Sequence, residues 1–370
     1  MKNKKRIAIF GGSFDPVHTD HINIAIACHD KLNFDEVWMT PSWVNPFKQI
    51  NVSSSVKDRL TMLQIATKNI SFIKINEYEV HNQNVSFTYE TVKYMIANFP
   101  NYDFEFIMGS DQLDNFELWN NFEDLIKIIK FNVFQRTEIY NEKIVKKYNL
   151  KVFTFNNNNI SSTDIRNLRK INLQIPEIND YINNNLLYIE ERVKSKMDND
   201  RFIHCLNVGQ YAKRLAIING VDPNKAFIAG TLHDIAKRWE KSLAELYLKK
   251  YLPVILKEPE QIWHSYVGYL HLQKDWLIND QEILLAVLKH TVAAAEMSTL
   301  DMIVFVADKI SYERNYPGVN ELRTIANENL EKSFKMILKA QYDNAIKKHG
   351  ENKIGALIKE SYNFWIGEKK

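Results

Sequence analysis

The sequence predicts two domains of different class, a parallel α/β sheet domain followed by an all-α domain. Three observations carry the prediction. Short apolar runs alternate with amphipathic helical stretches as far as about residue 165. Beyond that point helical spacing repeats to the C-terminus with no convincing strand. The length of 370 residues suits two or three domains at roughly 150 residues each.

The elements follow in order. "RIAIF" is a short buried-strand run, and Gly11 and Gly12 close it. "HINIAIACHDKL" has helical spacing, and "EVWMTPS" is a strand ending in a turn. "SSVKDRLTMLQIATKN" opens on serine caps and continues as an amphipathic helix. "IKINEYEV" alternates as a strand does, "TYETVKYMIANF" is helical, and "DFEFIMGSD" is a strand running into Gly-Ser-Asp. "LIKIIKFNVFQR" and "KVFTFN" read as further strands. Strands separated by helices imply a parallel sheet with helices on both faces and ligands at the carboxyl ends of the strands. The polar stretch "ERVKSKMDND" places a linker at 190–199, between domains at 1–189 and 200–370.

Composition narrows the function classes. A formal net charge of +3 makes no electrostatic case for nucleic acid or an anionic membrane. The most apolar later stretch, "ILLAVLKHTVAAA", is cut by Lys289 and His290, short of the roughly 18 uncharged residues of a membrane helix. The first apolar run, Ile7 to Phe10, is too short for a signal peptide. Cys28 and Cys205 are too few for a disulfide scaffold, and a reducing cytoplasm is the expected setting. The oligomeric state stays open, a homo-oligomer included.

Two constellations carry chemistry. In "IFGGSFDPVHTDH", Gly11 and Gly12 let the backbone approach a ligand closely, because they carry no Cβ. A helix beginning near Thr19 to His21 points free amides at the same place, which is an anion site. His18 and His21 lie one helical turn apart and can face that anion. Far along the chain, "NISSTDIRN" offers a capping box at Ser161 to Asp164 and then Arg166, a fork suited to phosphate. The simpler reading of that segment alone is a capped helix with an exposed arginine.

Together, G-G-S-F-D-P-x-H-x-x-H and I-S-S-T-x-I-R resemble the HxGH nucleotidyltransferase superfamily and, within it, nicotinate-nucleotide adenylyltransferase. "PSWVNPFK", "DRLTML", "SFTYET", "FIMGSDQLDNFELWNNFEDL" and "YINNNLLY" fit in order. The resemblance implies a Rossmann-like parallel-sheet domain that transfers the adenylyl group of Mg²⁺-bound ATP to nicotinate mononucleotide. Deamido-NAD and pyrophosphate are the products. It places His18, His21, Lys48, Ser162, Thr163 and Arg166 against the phosphates, Gly11, Gly12, Ser13 and Phe14 among the substrate-binding residues, Gly109 and Asp111 against the adenosine, and Thr88 and Trp119 against the pyridine ring. Core packing is the competing reading of Trp119, and a helix cap that of Asp111. Asp20 stands where the superfamily motif has glycine. A carboxylate there repels a polyphosphate unless it points away or helps to hold Mg²⁺.

The helical half sets His204, His233, Asp234, His264, His290 and Asp308 inside amphipathic or apolar segments. Imidazole with carboxylate suits borderline divalent metals. The order H…HD…H…H…D resembles the HD superfamily of metal-dependent phosphohydrolases, in its bacterial symmetrical diadenosine-tetraphosphatase branch. That resemblance implies His204, His233, Asp234 and Asp308 as ligands of a transition metal, Fe or Mn. It implies His264 and His290 at a second metal or at phosphate, Lys237 and Arg314 at substrate phosphates, and a dinucleoside polyphosphate cleaved to two ADP. The alternative is a transferase for another acceptor, nicotinamide mononucleotide or phosphopantetheine, joined to a non-catalytic nucleotide-sensing module.

Overall fold

The computed structural model describes residues 4–44, 54–82, 85 and 87–367, and the chain divides into two units, Met1–Tyr188 and Ile189–Lys370. In the first unit the elements are β1 (Lys5–Gly12), α1 (Thr19–Leu32), β2 (Glu36–Pro41), α2 (Val56–Thr67), β3 (Ile73–Ile75), α3 (Tyr78–Asn82), α4 (Thr88–Asn98), β4 (Tyr102–Gly109), α5 (Phe122–Ile128), β5 (Lys130–Phe134), α6 (Glu142–Lys147), β6 (Lys151–Phe153), α7 (Ser162–Arg166) and α8 (Pro176–Asn184). All six strands are parallel, in the order β3-β2-β1-β4-β5-β6. The order reverses between β1 and β4, and there the carboxyl ends of neighbouring strands leave a crevice.

Strand periodicity explains the burial. Ile7 and Ile9 point into one core with Val92, Met95 and Leu125, while Ala8 and Phe10 point into the other with Ile24, Cys28, Met62 and Ile178. Both faces are covered, which is why these strands read as continuous apolar runs rather than as alternation. The sequence reading of "IKINEYEV" as one strand is corrected here. Only Ile73–Ile75 pairs, because the Asn76 side-chain oxygen takes the Tyr78 N–H at 3.1 Å and starts a helix. "LIKIIKFNVFQR" likewise divides, at Ile129, into the end of α5 and all of β5.

The second unit is helical. It holds α9 (Ile189–Lys194), α10 (Asn199–Ile218), α11 (Pro223–Leu232), α12 (Lys241–Tyr251), α13 (Trp263–Lys274), α14 (Gln281–Lys289) and α15 (Thr299–Ile310), with three more helices beyond. The expected linker is corrected, since 190–194 belong to α9, whose Val193 is fully buried. Helices α10 and α11 meet backbone to backbone. A Cβ on Gly209 would fall 2.3 Å from Thr231 Oγ1, and one on Gly230 would fall 2.9 Å from the Gly209 Cα. Among the described residues no helix is long and apolar enough to cross a membrane.

Candidate active sites

In the first unit a cavity of about 570 Å³ opens at the carboxyl ends of β1 and β4. Every predicted residue of this half lines it except Lys48, which lies outside the described residues. Gly11, Gly12, Ser13 and Phe14 come from the end of β1 and the turn after it, His18 and His21 from the start of α1. Thr88 opens α4, Gly109 ends β4, and Asp111 and Trp119 lie in and just after the 3₁₀ stretch Ser110–Leu118. Ser162, Thr163 and Arg166 form α7. The two glycines are still strand, and the left-handed residue of the turn is Phe14 with φ 48°. The glycines are needed for ring packing, since a Cβ on Gly12 would meet the Phe14 ring at 3.0 Å.

His18 caps α1 and is 1% exposed, and neither of its ring nitrogens has a hydrogen-bond partner. Burial first, then the positive charge of Arg136, holds its pKa well below the usual histidine range, so the ring is neutral. Its ring lies against that of His21, tilted by 31°, with centroids 3.7 Å apart. The His18 N–H donates to His21 Nδ1 at 3.2 Å, which leaves the proton of a neutral His21 on Nε2. Opposite, Ser161 caps α7 in the predicted box with Asp164, Ser162 Oγ donates to Pro16 O at 2.9 Å, and Arg166 Nη1 donates to Asp15 O at 2.6 Å. Asp20 is buried, and its two oxygens accept main-chain N–H groups of the 156–160 loop.

Trp119 both packs and faces the cavity. Its ring meets Phe106 and Phe116 edge to face, and its indole N–H is buried with no partner. Asp111 is not the helix cap, a place that falls to Gly109; its carboxylate stands 3.6 Å from Arg136 Nη1. Arg136 is a cavity residue that sequence reasoning missed. It follows β5 directly, so the only signal for it was its place at a strand's carboxyl end. Buried Arg59 lies behind the cavity, donating to the carbonyls of Ser13 at 2.9 Å and Ser42 at 2.6 Å and so joining the turns after β1 and β2.

In the second unit the six predicted ligands converge, and all are buried. His204 comes from α10, His233 and Asp234 from the end of α11, His264 from α13, His290 from the end of α14 and Asp308 from α15. The close crossing of α10 on α11 brings the His204 and His233 rings to 5.2 Å. Asp234 bridges two groups. Its Oδ2 lies 3.5 Å from His233 Nε2 and 4.0 Å from His204 Nε2, while its Oδ1 lies 3.2 Å from His264 Nε2 and 3.5 Å from His290 Nε2. Asp308 Oδ1 lies 3.3 Å from His204 Nε2.

These residues fit a metal. The Nε2 atoms of His204 and His233 are buried without a hydrogen bond, and each ring is fixed from behind. His233 Nδ1 donates to Gly230 O and His290 Nδ1 to Val287 O, both at 2.7 Å, and His204 Nδ1 meets Glu313 Oε1 at 2.6 Å. Such outer partners set the tautomer and aim the lone pair inward. Three overlapping trios, His204/His233/Asp234, His233/His290/Asp308 and Asp234/His264/His290, each bring their ligand atoms within 4.8 Å of one another. Charge divides the cluster. Burial lowers the His233 pKa, but Asp234 and Asp308 outweigh it and raise the value to about 9, whereas burial takes His290 down to about 4. Burial would raise Asp234 and Asp308, yet the surrounding cations hold both well below the usual carboxylate range.

Two cavities flank the carboxylates. One of about 250 Å³ is lined by Lys237, His264, His290 and Thr291, the other of about 410 Å³ by Arg238, Asn315 and Tyr316, and both include Arg201 and Arg314. Arg201 Nη1 donates to Asp234 Oδ2 at 2.7 Å, and Arg314 Nη2 to Asp308 Oδ1 at 2.8 Å. Lys237 Nζ stands 3.2 Å from His264 Nε2. Sequence reasoning missed Arg201 and Glu313, which no spacing rule ties to the histidines.

Fold and site together define the class: a nucleotidyltransferase-type α/β domain joined to a helical domain with a histidine–aspartate cluster. A family model described as Cytidylyltransferase-like matches residues 9–168, and one described as HD domain matches residues 201–313. The "Probable nicotinate-nucleotide adenylyltransferase/Ap4A hydrolase" of Mycoplasma genitalium is 32% identical over 344 residues, which covers 91% of this chain and 97% of that protein. Its namesake in Mycoplasma pneumoniae is 30% identical over 342 residues, 90% of this chain and 97% of that one. The "Probable nicotinate-nucleotide adenylyltransferase" of Methylacidiphilum infernorum is 34% identical over 193 residues, 50% of this chain and 94% of its own. The chain belongs to the nicotinate-nucleotide adenylyltransferase/Ap4A hydrolase family.

Proposed function

We propose that the chain is a bifunctional enzyme of NAD biosynthesis. Its first unit transfers the adenylyl group of MgATP to nicotinate mononucleotide, and its second hydrolyses diadenosine tetraphosphate to two ADP. The observation that carries the first activity is a pair of imidazoles, His18 buried with both nitrogens unpartnered and His21 half-buried, facing Ser162, Thr163 and Arg166 across one cavity. The mononucleotide phosphate attacks the α-phosphorus of ATP and pyrophosphate leaves. No covalent enzyme intermediate is needed, so positioning and charge stabilisation supply the rate. His18 and His21 each donate an N–H to the phosphates, Arg166 and Arg136 add guanidinium charge, and Trp119 offers a ring and a free indole N–H to the pyridine end.

In the second unit His204, His233, Asp234 and Asp308 would hold a transition metal, Fe or Mn, with His264 and His290 completing a second position. The bound metal supplies an acidified water and neutralises phosphate charge. Arg201 and Arg314 stand between the two flanking cavities and suit a polyphosphate that extends to both sides. Both cysteines are buried and free, which suits a reducing cytoplasm.

One panel tests the whole reading. Pyrophosphate release is measured with nicotinate mononucleotide, nicotinamide mononucleotide and phosphopantetheine as acceptors, and ADP release from diadenosine tetraphosphate with Mn²⁺ or Fe²⁺. Transfer to nicotinate mononucleotide that His18→Ala lowers by roughly 10²–10³-fold while hydrolysis persists is the expected result. No ADP release from folded protein overturns the second half, and preference for another acceptor overturns the first.

A further inference from the structure

Asp20 stands in the first turn of α1, between the two histidines of the phosphate cradle, and is 1% exposed. Its Oδ1 accepts the Asn158 N–H at 2.9 Å and its Oδ2 the Ile160 N–H at 3.0 Å. Both donors belong to the segment that leads into α7, the opposite wall of the cavity. Side chains from outside the segment take its carbonyls, while the Asn159 N–H is met from within it, by Asn157 Oδ1 at 2.7 Å. Asn23 Nδ2 donates to Asn156 O at 2.7 Å, Arg136 Nη2 donates to Ile160 O at 3.2 Å, and Lys170 Nζ donates to Asn159 O. Asp20 therefore serves the Asn158 and Ile160 N–H groups, and Ile160, at 2% exposure, has no route to water for its own.

We propose that Asp20 is a positioning residue of the adenylyl-transfer site. Its carboxylate sets the separation between the histidine wall and the Ser162–Thr163–Arg166 wall, and so fixes the width of the polyphosphate cradle. This rests on the transferase reading above. A carboxylate engaged by two N–H dipoles directs its charge into the protein, which reconciles an acid at this position with an anionic ligand. A shorter or neutral side chain cannot reproduce the tie. Glycine removes both bonds, and asparagine keeps one acceptor while turning an N–H₂ toward the second donor. Small errors of wall placement cost rate steeply, since phosphoryl chemistry depends on alignment.

The test compares wild type, Asp20→Asn and Asp20→Gly in the full chain. MgATP affinity, steady-state transfer kinetics and amide hydrogen exchange across 156–162 are measured together. The expected result is a drop in MgATP affinity on the order of tenfold or more for Asp20→Gly and a smaller drop for Asp20→Asn. KM for ATP rises in the same order while KM for the mononucleotide holds, and exchange at Asn158 and Ile160 accelerates. Unchanged KM for the mononucleotide and native hydrogen exchange in the strands of the sheet serve as the control for a folded α/β unit. Faster exchange with unchanged ATP affinity overturns the proposal, leaving a merely structural tie. Tighter ATP binding in Asp20→Gly also overturns it, because the carboxylate then repels the ligand. If wild type binds MgATP but adenylylates no mononucleotide, the acceptor assignment fails, and the affinity series still decides the role of Asp20.

Discussion

The two units use histidine in opposite ways. In the α/β unit, His18 is buried beside a cation in the cavity wall, so it stays neutral and unpartnered. In the helical unit, His233 is fully buried beside two carboxylates and is driven up to about 9. Burial acts downward on both rings; the neighbouring charge decides the outcome. One environment suits a donor to an anion, and the other suits a ligand whose proton leaves when a cation arrives.

The sharpest way to break this comparison is to remove one residue from each side. Asp234→Asn removes the negative charge shared by both histidine groups and leaves an oxygen facing only one of them. Hydrolysis of diadenosine tetraphosphate should fall by about 10³-fold or more, metal content by equilibrium dialysis should fall with it, and transfer should be untouched. His18→Ala should do the reverse, lowering transfer by roughly 10²–10³-fold, the scale of losing one positioned donor to developing charge, with hydrolysis intact. If either variant damaged both activities in folded protein, the separation would be wrong.

A finer cut tests the outer partner. Glu313 Oε1 stands 2.6 Å from His204 Nδ1 and accepts from Ser311 Oγ at 2.8 Å. Glu313→Gln should weaken metal binding roughly 10–100-fold, read by competition with a chelator. An unchanged affinity would remove Glu313 from the design.

Gly209→Ala asks whether the helix crossing builds the metal cluster. The new methyl meets Thr231 Oγ1 and Phe227 O, so α10 must move from α11 at a cost of roughly 1–3 kcal/mol. Denaturant unfolding followed in the helical unit should show this loss while MgATP binding by the α/β unit holds.

The smallest effect is one of pH. His18 binds fewer protons folded than unfolded, so its contribution to stability rises as pH rises through the unfolded value near 6.5. Acidification from pH 7 to pH 5 should destabilise the α/β unit by on the order of 1 kcal/mol through this group, and His18→Asn should flatten that slope.

Much of both sites was legible in the sequence, because their residues sit in local patterns. Gly-Gly followed by His-x-x-His at a strand–helix junction, and Ser-x-x-Asp-x-Arg at a helix start, are short-range signals that survive without a fold. The histidines of the second unit were legible as polar residues inside apolar helices. Arg136, Arg59, Arg201 and Glu313 were not, because each acts through a partner many positions away and looks alone like any solvated charge. The strand boundaries at Asn76 and Ile129 were missed for a related reason, since a side-chain hydrogen bond or a single turning residue outweighed apolar periodicity there.

The sequence by itself determined the two fold classes, the parallel sheet and the two residue sets, because periodicity and local spacing are properties of the chain. Only the tertiary structure decided what those residues are. It turned the Asp20 carboxylate onto the Asn158 and Ile160 amides, set Asp234 between two pairs of imidazoles, and gave His18 and His233 opposite charge behaviour. The reason is physical: burial and neighbouring charge belong to positions in space, and residues distant along the chain supply both.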